Sequence, residues 1–162
     1  MKRAEDHGEV DEVAATHIYG WAYRLLQDHH DALDATQEVL LRWVAGGRSA
    51  RNRRAWLRRT TINHCIDLLR LRRRRIAAFR DEVLIDKPDF APARRELHLA
   101  IADSLHRLPR RQRDVIVAKV YDHQTFAAIA DDMGISVSTV KTHYVRALAA
   151  LREPLKAYVE LD

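Results

Sequence analysis

One cysteine, five glycines and four prolines are spread over 162 residues. A single thiol excludes an internal disulfide, and Cys65, set among Ile62, Ile66 and Leu69, reads as a small buried side chain. Nine histidines are present, yet His29 and His30 sit together at a turn, His64 stands alone, and no Cys-His set has zinc spacing. A metal site scattered over a helical bundle, for example His30, Asp34, Glu38, His64 and Asp67, lacks the Glu-x-x-His pairing such sites use. With so little glycine there is no phosphate-cradling loop after a strand and no Gly-x-Ser-x-Gly elbow, so catalysis has no support and no cofactor is expected. No apolar run approaches the roughly 20 residues of a membrane span. The opening MKRAEDHGEVDE has no apolar core of a signal peptide. A cytoplasmic protein without membrane insertion is expected.

What is present is charge and helical periodicity. Hydrophobic residues make up 47% and charged residues 31%, enough for real cores, and the formal net charge is +5 with arginine far ahead of lysine. Forked guanidinium groups suit phosphate oxygens, which makes nucleic acid the natural partner. The stretch from Thr125 to Arg152 carries this furthest. Phe126, Ile129, Ala130 and Met133 recur at helical spacing, Gly134 ends that helix, and Ser136 caps another beginning at Val137. The second helix places Val140, Tyr144, Leu148 and Leu151 on one face and leaves Ser138, Thr139, Lys141, Thr142, His143 and Arg146 on the others. No carboxylate occurs from Gly134 to Arg152. This pattern is a helix-turn-helix whose second helix suits a major groove, although a plain helical hairpin with a solvated basic face shares it.

Upstream, the spacing predicts a helix over 11–27 with Val13, His17, Trp21, Ala22, Leu25 and Leu26 buried. A second helix is expected from an Asp31 cap, with Asp34, Gln37, Glu38, Leu41 and Arg42 forming a face opposite Leu33, Leu40 and Val44. That acidic face in a basic protein fits either a solvated surface or a docking surface. The basic stretch GGRSARNRR then reads as a flexible loop that orders only against an anion. The helix expected over 55–75 buries Leu57, Thr61, Ile62, Cys65, Leu68 and Leu69, runs Arg59, Asn63, Asp67, Arg70 and Arg74 down another side, and ends in four arginines, Arg72 to Arg75. Periodicity fails from Ile76 to Ala93 and resumes with Leu97, Ile101, Leu105 and Leu108. Pro109 then opens a helix carrying Val115, Ile116, Val120 and Tyr121. The expected architecture is all-α: two small helical domains, residues 1–78 and 94–162, joined by a flexible linker at 79–93.

Four blocks, at Asp31 to Trp43, Arg54 to Arg75, Leu105 to Asp122 and Phe126 to Arg152, in that order and with an acidic linker between, resemble bacterial RNA polymerase sigma factors of the extracytoplasmic-function type. The resemblance covers about Tyr19 to Leu155. It implies a protein that catalyses nothing, binds core RNA polymerase through the largest-subunit clamp helices and the flap, and directs it to promoter DNA. By the same resemblance Asp34, Gln37, Glu38 and Leu41 are polymerase contacts. Trp56, Arg59, Asn63, Asp67, Arg70 and Arg74 belong to the helix that reads and opens the minus-ten element, Trp56 fitting a core position as well as a stacking one. Ser138, Thr139, Lys141, Thr142, His143 and Arg146 read the minus-35 duplex. Capture by an anti-sigma factor is a further implication. Arg53 stands where the family commonly has an aromatic, and Lys141, Thr142 and His143 also resemble a response-regulator output helix. The rival reading is therefore a stand-alone helix-turn-helix regulator. Other rivals are a basic module without sequence preference and the helical metal enzyme.

Overall fold

The structure, a computed structural model, describes residues 5–78 and 92–159. Among these it forms seven α-helices and no strand: α1 (Glu5–Leu26), α2 (His29–Ala45), α3 (Arg53–Ala78), α4 (Pro92–Arg107), α5 (Arg110–Val120), α6 (Phe126–Met133) and α7 (Val137–Val159), with a short 3₁₀ turn at Gly47–Ser49. The all-α expectation is met. The chain gathers into two compact units, one reaching to Cys65 and the other starting at Ile66, so the division falls within α3. The expected linker lies outside the described residues except at its end, where Pro92 opens α4 at the position that tolerates a missing N–H. Among the described residues no helix is long and apolar enough to cross a membrane.

In the first unit α1 buries Ala14, Ile18, Trp21, Ala22, Leu25 and Leu26. Val13 is 54% exposed, against expectation, and His17 stacks on Trp21 with ring centroids 5.8 Å apart. The seam follows Ala14, Ile18, Trp21 and Leu25, and Val13 lies one residue to its side. The cap of α2 is Asp28, whose carboxylate accepts from the Asp31 N–H at 2.9 Å, so the helix starts before the expected Asp31 and takes His29 and His30 into its first turn. Its buried line is Ala32, Ala35, Thr36, Val39 and Trp43. Small residues there let α2 lie close on α1, and Leu33 and Val44, the expected core, stand exposed.

Asn52 accepts from the Ala55 N–H and starts α3. Leu57, Thr61, Ile62 and Cys65 are buried, and Ile66 takes the place expected for the half-buried Leu68. The hydroxyls of Thr36 and Thr61 donate to Ala32 and Leu57 carbonyls of their own helices at 2.7 Å each, which satisfies them without breaking the core. Burial pushes the Cys65 thiol up to about 12, and the Asp31 charge adds to the effect, so the thiol stays protonated.

The second unit is built on α7, against which α4, α5 and α6 all pack. Val115, Ala118, Ile129, Ala130 and Val140 form its centre, with Phe126, Met133, Ile135 and Tyr144 around them. Val117 and Ala147 are buried, while Val120 and Leu148, expected inside, are 48% and 44% exposed. At the α4–α5 corner the Arg113 guanidinium donates to the carbonyls of His106 and Leu108 at 2.9 and 3.2 Å, supplying partners that the end of α4 leaves open.

Candidate nucleic-acid interface

The turn between α6 and α7 follows from two residues. Gly134 takes the left-handed conformation at φ 64°, its N–H donates to the Asp131 carbonyl at 3.3 Å, and the Ile135 N–H donates to the Ala130 carbonyl at 3.1 Å. This pair of bonds closes α6 in the glycine-ended manner. Ser136 then accepts the Thr139 N–H at 3.1 Å and opens α7. Two further props fix α6. The Lys119 ammonium sits 4.8 Å from the centre of the Phe126 ring and donates to the Gln124 carbonyl at 3.1 Å, and Phe126 meets Tyr144 edge to face at 5.3 Å.

With α7 held in this way, Ser138, Thr139, Lys141, Thr142 and Arg146 are all exposed. The Thr142 hydroxyl donates to the Ser138 carbonyl at 3.0 Å, and the hydroxyls of Ser136, Ser138 and Thr139 lie within 2.9 Å along the chain of contacts. His143 differs from its neighbours: it is half-buried, and its Nδ1 is buried with no hydrogen-bond partner among the described residues. The result is an exposed helix face of hydroxyls and cations, suited to phosphate oxygens and base edges.

On α2, Asp34, Gln37 and Leu41 are exposed and Glu38 half-buried, the last held by Arg42 at 2.8 Å one turn on. Leu41 at 67% and Val44 at 61% exposure add an apolar strip beside the acids. An acidic face with exposed aliphatics is a surface that a partner with a basic, partly apolar face can cover.

The connection from α2 to α3 is not the flexible loop that its composition suggests. Gly46 donates to the Arg42 carbonyl at 3.2 Å, Ala50 to the Gly47 carbonyl at 2.9 Å, and Gly47 is buried. Gly47 rests on an edge-to-face pair of tryptophans, Trp43 and Trp56, whose centroids are 5.4 Å apart. Arg53 lies over Trp43 at 5.1 Å and Arg54 over Trp21 at 5.9 Å, so two of the loop's cations are stacked on aromatic faces. Tryptophan packing orders the segment without an anion, which composition alone does not reveal.

Along α3, Trp56, Arg59, Asn63 and Arg70 are half-buried, Asp67 and Arg74 exposed, and Arg58, which periodicity passed over, is buried. In the second unit Arg70 is engaged by α4: its Nε lies 3.8 Å from Asp103, and its Nη1 is 3.4 Å from His106 Nδ1. Arg73 also donates to Asp103. The basicity of His106 is lowered, first by its removal from water and then by the positive charges of Arg70 and Arg113. Asp103, His106 and Arg113 are site neighbours that sequence spacing could not reveal, being more than thirty residues from Arg70. His30, Asp34, Glu38, His64 and Asp67 are not gathered into a metal-holding group, and no group of three or more such side chains could hold a metal among the described residues.

Comparison with known proteins agrees with this geometry. Residues 14–75 match the Sigma-70 region 2 model and residues 98–151 the Sigma-70, region 4 model. The ECF RNA polymerase sigma factor SigL of Mycobacterium tuberculosis is 38% identical over 159 residues, covering 90% of this chain and 86% of SigL. The ECF RNA polymerase sigma factor SigW of Bacillus subtilis is 30% identical over 166 residues, covering 91% of this chain and 88% of SigW. A co-crystal structure of the sigma factor RpoE with the anti-sigma factor NepR from Bartonella quintana shares the fold, with a TM-score of 0.52 and 23% identity over 94% of this chain and 98% of RpoE. A stand-alone regulator has no use for a region 2 match over the first half of the chain, and that rival falls away. With a region 2 and a region 4 in order and relatives aligned nearly end to end, the chain belongs to the extracytoplasmic-function family of RNA polymerase sigma factors.

Proposed function

We propose that this sigma factor, which directs core RNA polymerase to promoters and is not itself an enzyme, divides that work among three surfaces. The acidic and apolar strip of α2, made by Asp34, Gln37, Glu38 and Leu41, docks on the basic clamp helices of the polymerase largest subunit. The α3 face with Trp56, Arg59, Asn63, Asp67, Arg70 and Arg74 reads and opens the minus-ten element. Opening a duplex costs stacking free energy that cationic phosphate contacts and base capture offset. The α7 face with Ser138, Thr139, Lys141, Thr142, His143 and Arg146 reads the minus-35 duplex. In this reading residues 1–78 and 94–162 are the working parts, 79–93 tether them, and the site of action is the cytoplasm. An anti-sigma protein, such as the one that RpoE of Bartonella quintana carries in its co-crystal, is a fitting occupant of the α2 strip in the idle state.

The observation that carries this reading is the coexistence, on one basic chain, of a carboxylate-free recognition face on α7 and an acidic face on α2. Opposite charge preferences on separate elements fit a protein that bridges DNA and a second macromolecule. The test is retention of core polymerase by the purified chain, followed by run-off transcription on a genomic fragment library. Retention with discrete start sites is expected, and the variant carrying both Asp34→Lys and Glu38→Lys is expected to lose polymerase while keeping its helical spectrum. Undiminished polymerase retention by that variant overturns the α2 assignment.

A further inference from the structure

We infer that Gly47 is a positioning residue for promoter opening: the bare backbone at this point seats the α2–α3 connection on the Trp43–Trp56 pair and so sets where the start of α3 meets the minus-ten strand. The inference deepens the reading of α3 as the minus-ten element and rests on it.

The geometry is specific. A Cβ added at Gly47 would lie 2.7 Å from Cε3 of Trp43 and 2.8 Å from both Cζ2 and Cη2 of Trp56. Ordinary carbon contacts are about 3.5–4.0 Å, so a methyl group here is short by close to an ångström on two sides. Neither obstacle is the loose end of a flexible chain. Both are ring atoms of indoles, Trp43 is 9% exposed, and each ring packs edge to face against the other. The loop therefore has to lift, and the atoms that lift with it are those that lead into α3. Ala50 is tied to the Gly47 carbonyl, Ser49 Oγ to the Gly46 carbonyl, and the Arg53 guanidinium lies over the same Trp43 ring. Trp56, in turn, also acts through the loop it supports. One edge of its half-buried ring lies against Gly47, so besides its place on the α3 face it supports the connection that leads into α3.

Gly46 supplies the internal control. It is the adjacent residue of the same loop, is exposed, and has no atom within 4 Å of the place a Cβ would occupy. The two glycines are equal in composition and opposite in consequence.

The experiment compares the full-length wild type, Gly46→Ala, Gly47→Ala and the Arg59→Ala/Asn63→Ala pair as holoenzymes with core polymerase. The promoter is one that the wild type selects, with 2-aminopurine in its minus-ten element. Polymerase affinity, promoter-binding midpoint and rate of fluorescence rise on opening are read separately. Gly47→Ala is expected to retain polymerase affinity while opening slows about ten- to hundred-fold, the cost of an ångström-scale misplacement. Gly46→Ala is expected to open at the wild-type rate. Where Gly47→Ala does not fold, Gly47→Ala/Trp56→Phe is compared with Trp56→Phe alone: the contact with Trp43 remains, so the double variant is expected to open more slowly than Trp56→Phe, and equal rates overturn the inference. Wild-type opening by the Gly47 variant overturns the inference, as does equal slowing by both glycine variants or a loss of polymerase affinity that accounts for the slowing. Wild-type opening by the Arg59→Ala/Asn63→Ala pair overturns instead the underlying assignment of α3 to the minus-ten element.

Discussion

Arg70 of α3 and Asp103 of α4 face each other, Nε to Oδ1 at 3.8 Å, with Arg73 donating to the other carboxylate oxygen. Both arginines lie in the basic run of α3 that is proposed to meet promoter phosphates, and on that reading DNA and Asp103 compete for the same cations. The pairs are solvent-accessible, with Arg73 49% and Asp103 22% exposed at the side chain, and such pairs contribute only about 0–1 kcal/mol to folding. Asp103→Asn is therefore expected to leave the unfolding midpoint nearly unchanged. The free chain should bind minus-ten DNA up to about five-fold more tightly, with a salt dependence steeper by about one to two counterions. Fluorescence anisotropy over a salt series measures both. An unchanged slope would mean that the two arginines do not reach phosphate.

His106 makes the same corner sensitive to pH. Its ring is surrounded by Arg70 and Arg113, which disfavour its protonation, and by Asp67 and Asp103, which favour it, and burial tips the balance to the neutral form. The folded-state value is thus below the ordinary 6.5. The stabilisation is fully present above 6.5 and is lost as the pH falls through the lowered value, because the unfolded chain binds the proton more readily in that window. Lowering the pH from about 7.5 to about 5.5 should lower the thermal midpoint of the wild type more than that of His106→Gln, the difference isolating this ring. Equal falls in both chains would assign the acid sensitivity to other groups.

The helix-turn-helix was legible because local chemistry decides it. Gly134 and Ser136 act within four residues of themselves, and the structure returns both caps where the sequence places them. Burial on α1 and α2 was less legible. Large residues such as Val13, Leu33 and Val44 dominate a hydrophobic pattern, whereas the close approach of two helices selects alanines, here Ala14, Ala32 and Ala35. The surroundings of Arg70 were not legible at all, since Asp103 and His106 reach it through tertiary structure. The basic loop is the instructive miss: its arginines and glycines read as flexible, but Gly47 fits between two indoles that lie outside the loop itself. On α7 helical phase made the exposure of Ser138, Thr139, Lys141, Thr142 and Arg146 readable, but not the half-burial of His143 or the exposure of Leu148.

Gly134 allows a stability prediction that is separate from DNA. At φ 64° an L side chain costs about 1–2 kcal/mol, and no atom lies within 4 Å of the added Cβ to alter that figure. Gly134→Ala should lower the denaturant midpoint correspondingly, while Gly134→Asn, better tolerated in that conformation, should recover part of the loss. Equal midpoints for glycine and alanine would contradict the left-handed cap.

The α7 face contains two kinds of group, and they should separate under mutation. Lys141 and Arg146 are exposed cations on a helix that has no carboxylate before Glu153. Replacing either by alanine should weaken binding to all duplexes and reduce the salt slope by about one if it meets phosphate, whereas a residue reading a base edge discriminates by about 1–3 kcal/mol between sequences. Thr142 already spends its proton on the Ser138 carbonyl and presents only acceptor lone pairs, which suits a base amino group better than a phosphate. Thr142→Val, which keeps the shape and removes the oxygen, should therefore relax preference at one base pair of the minus-35 element with little change in salt slope. Selection of bound sequences by holoenzyme carrying each variant measures this. A uniform loss for Thr142→Val, or a sequence-restricted loss for both Lys141→Ala and Arg146→Ala, would reverse these roles.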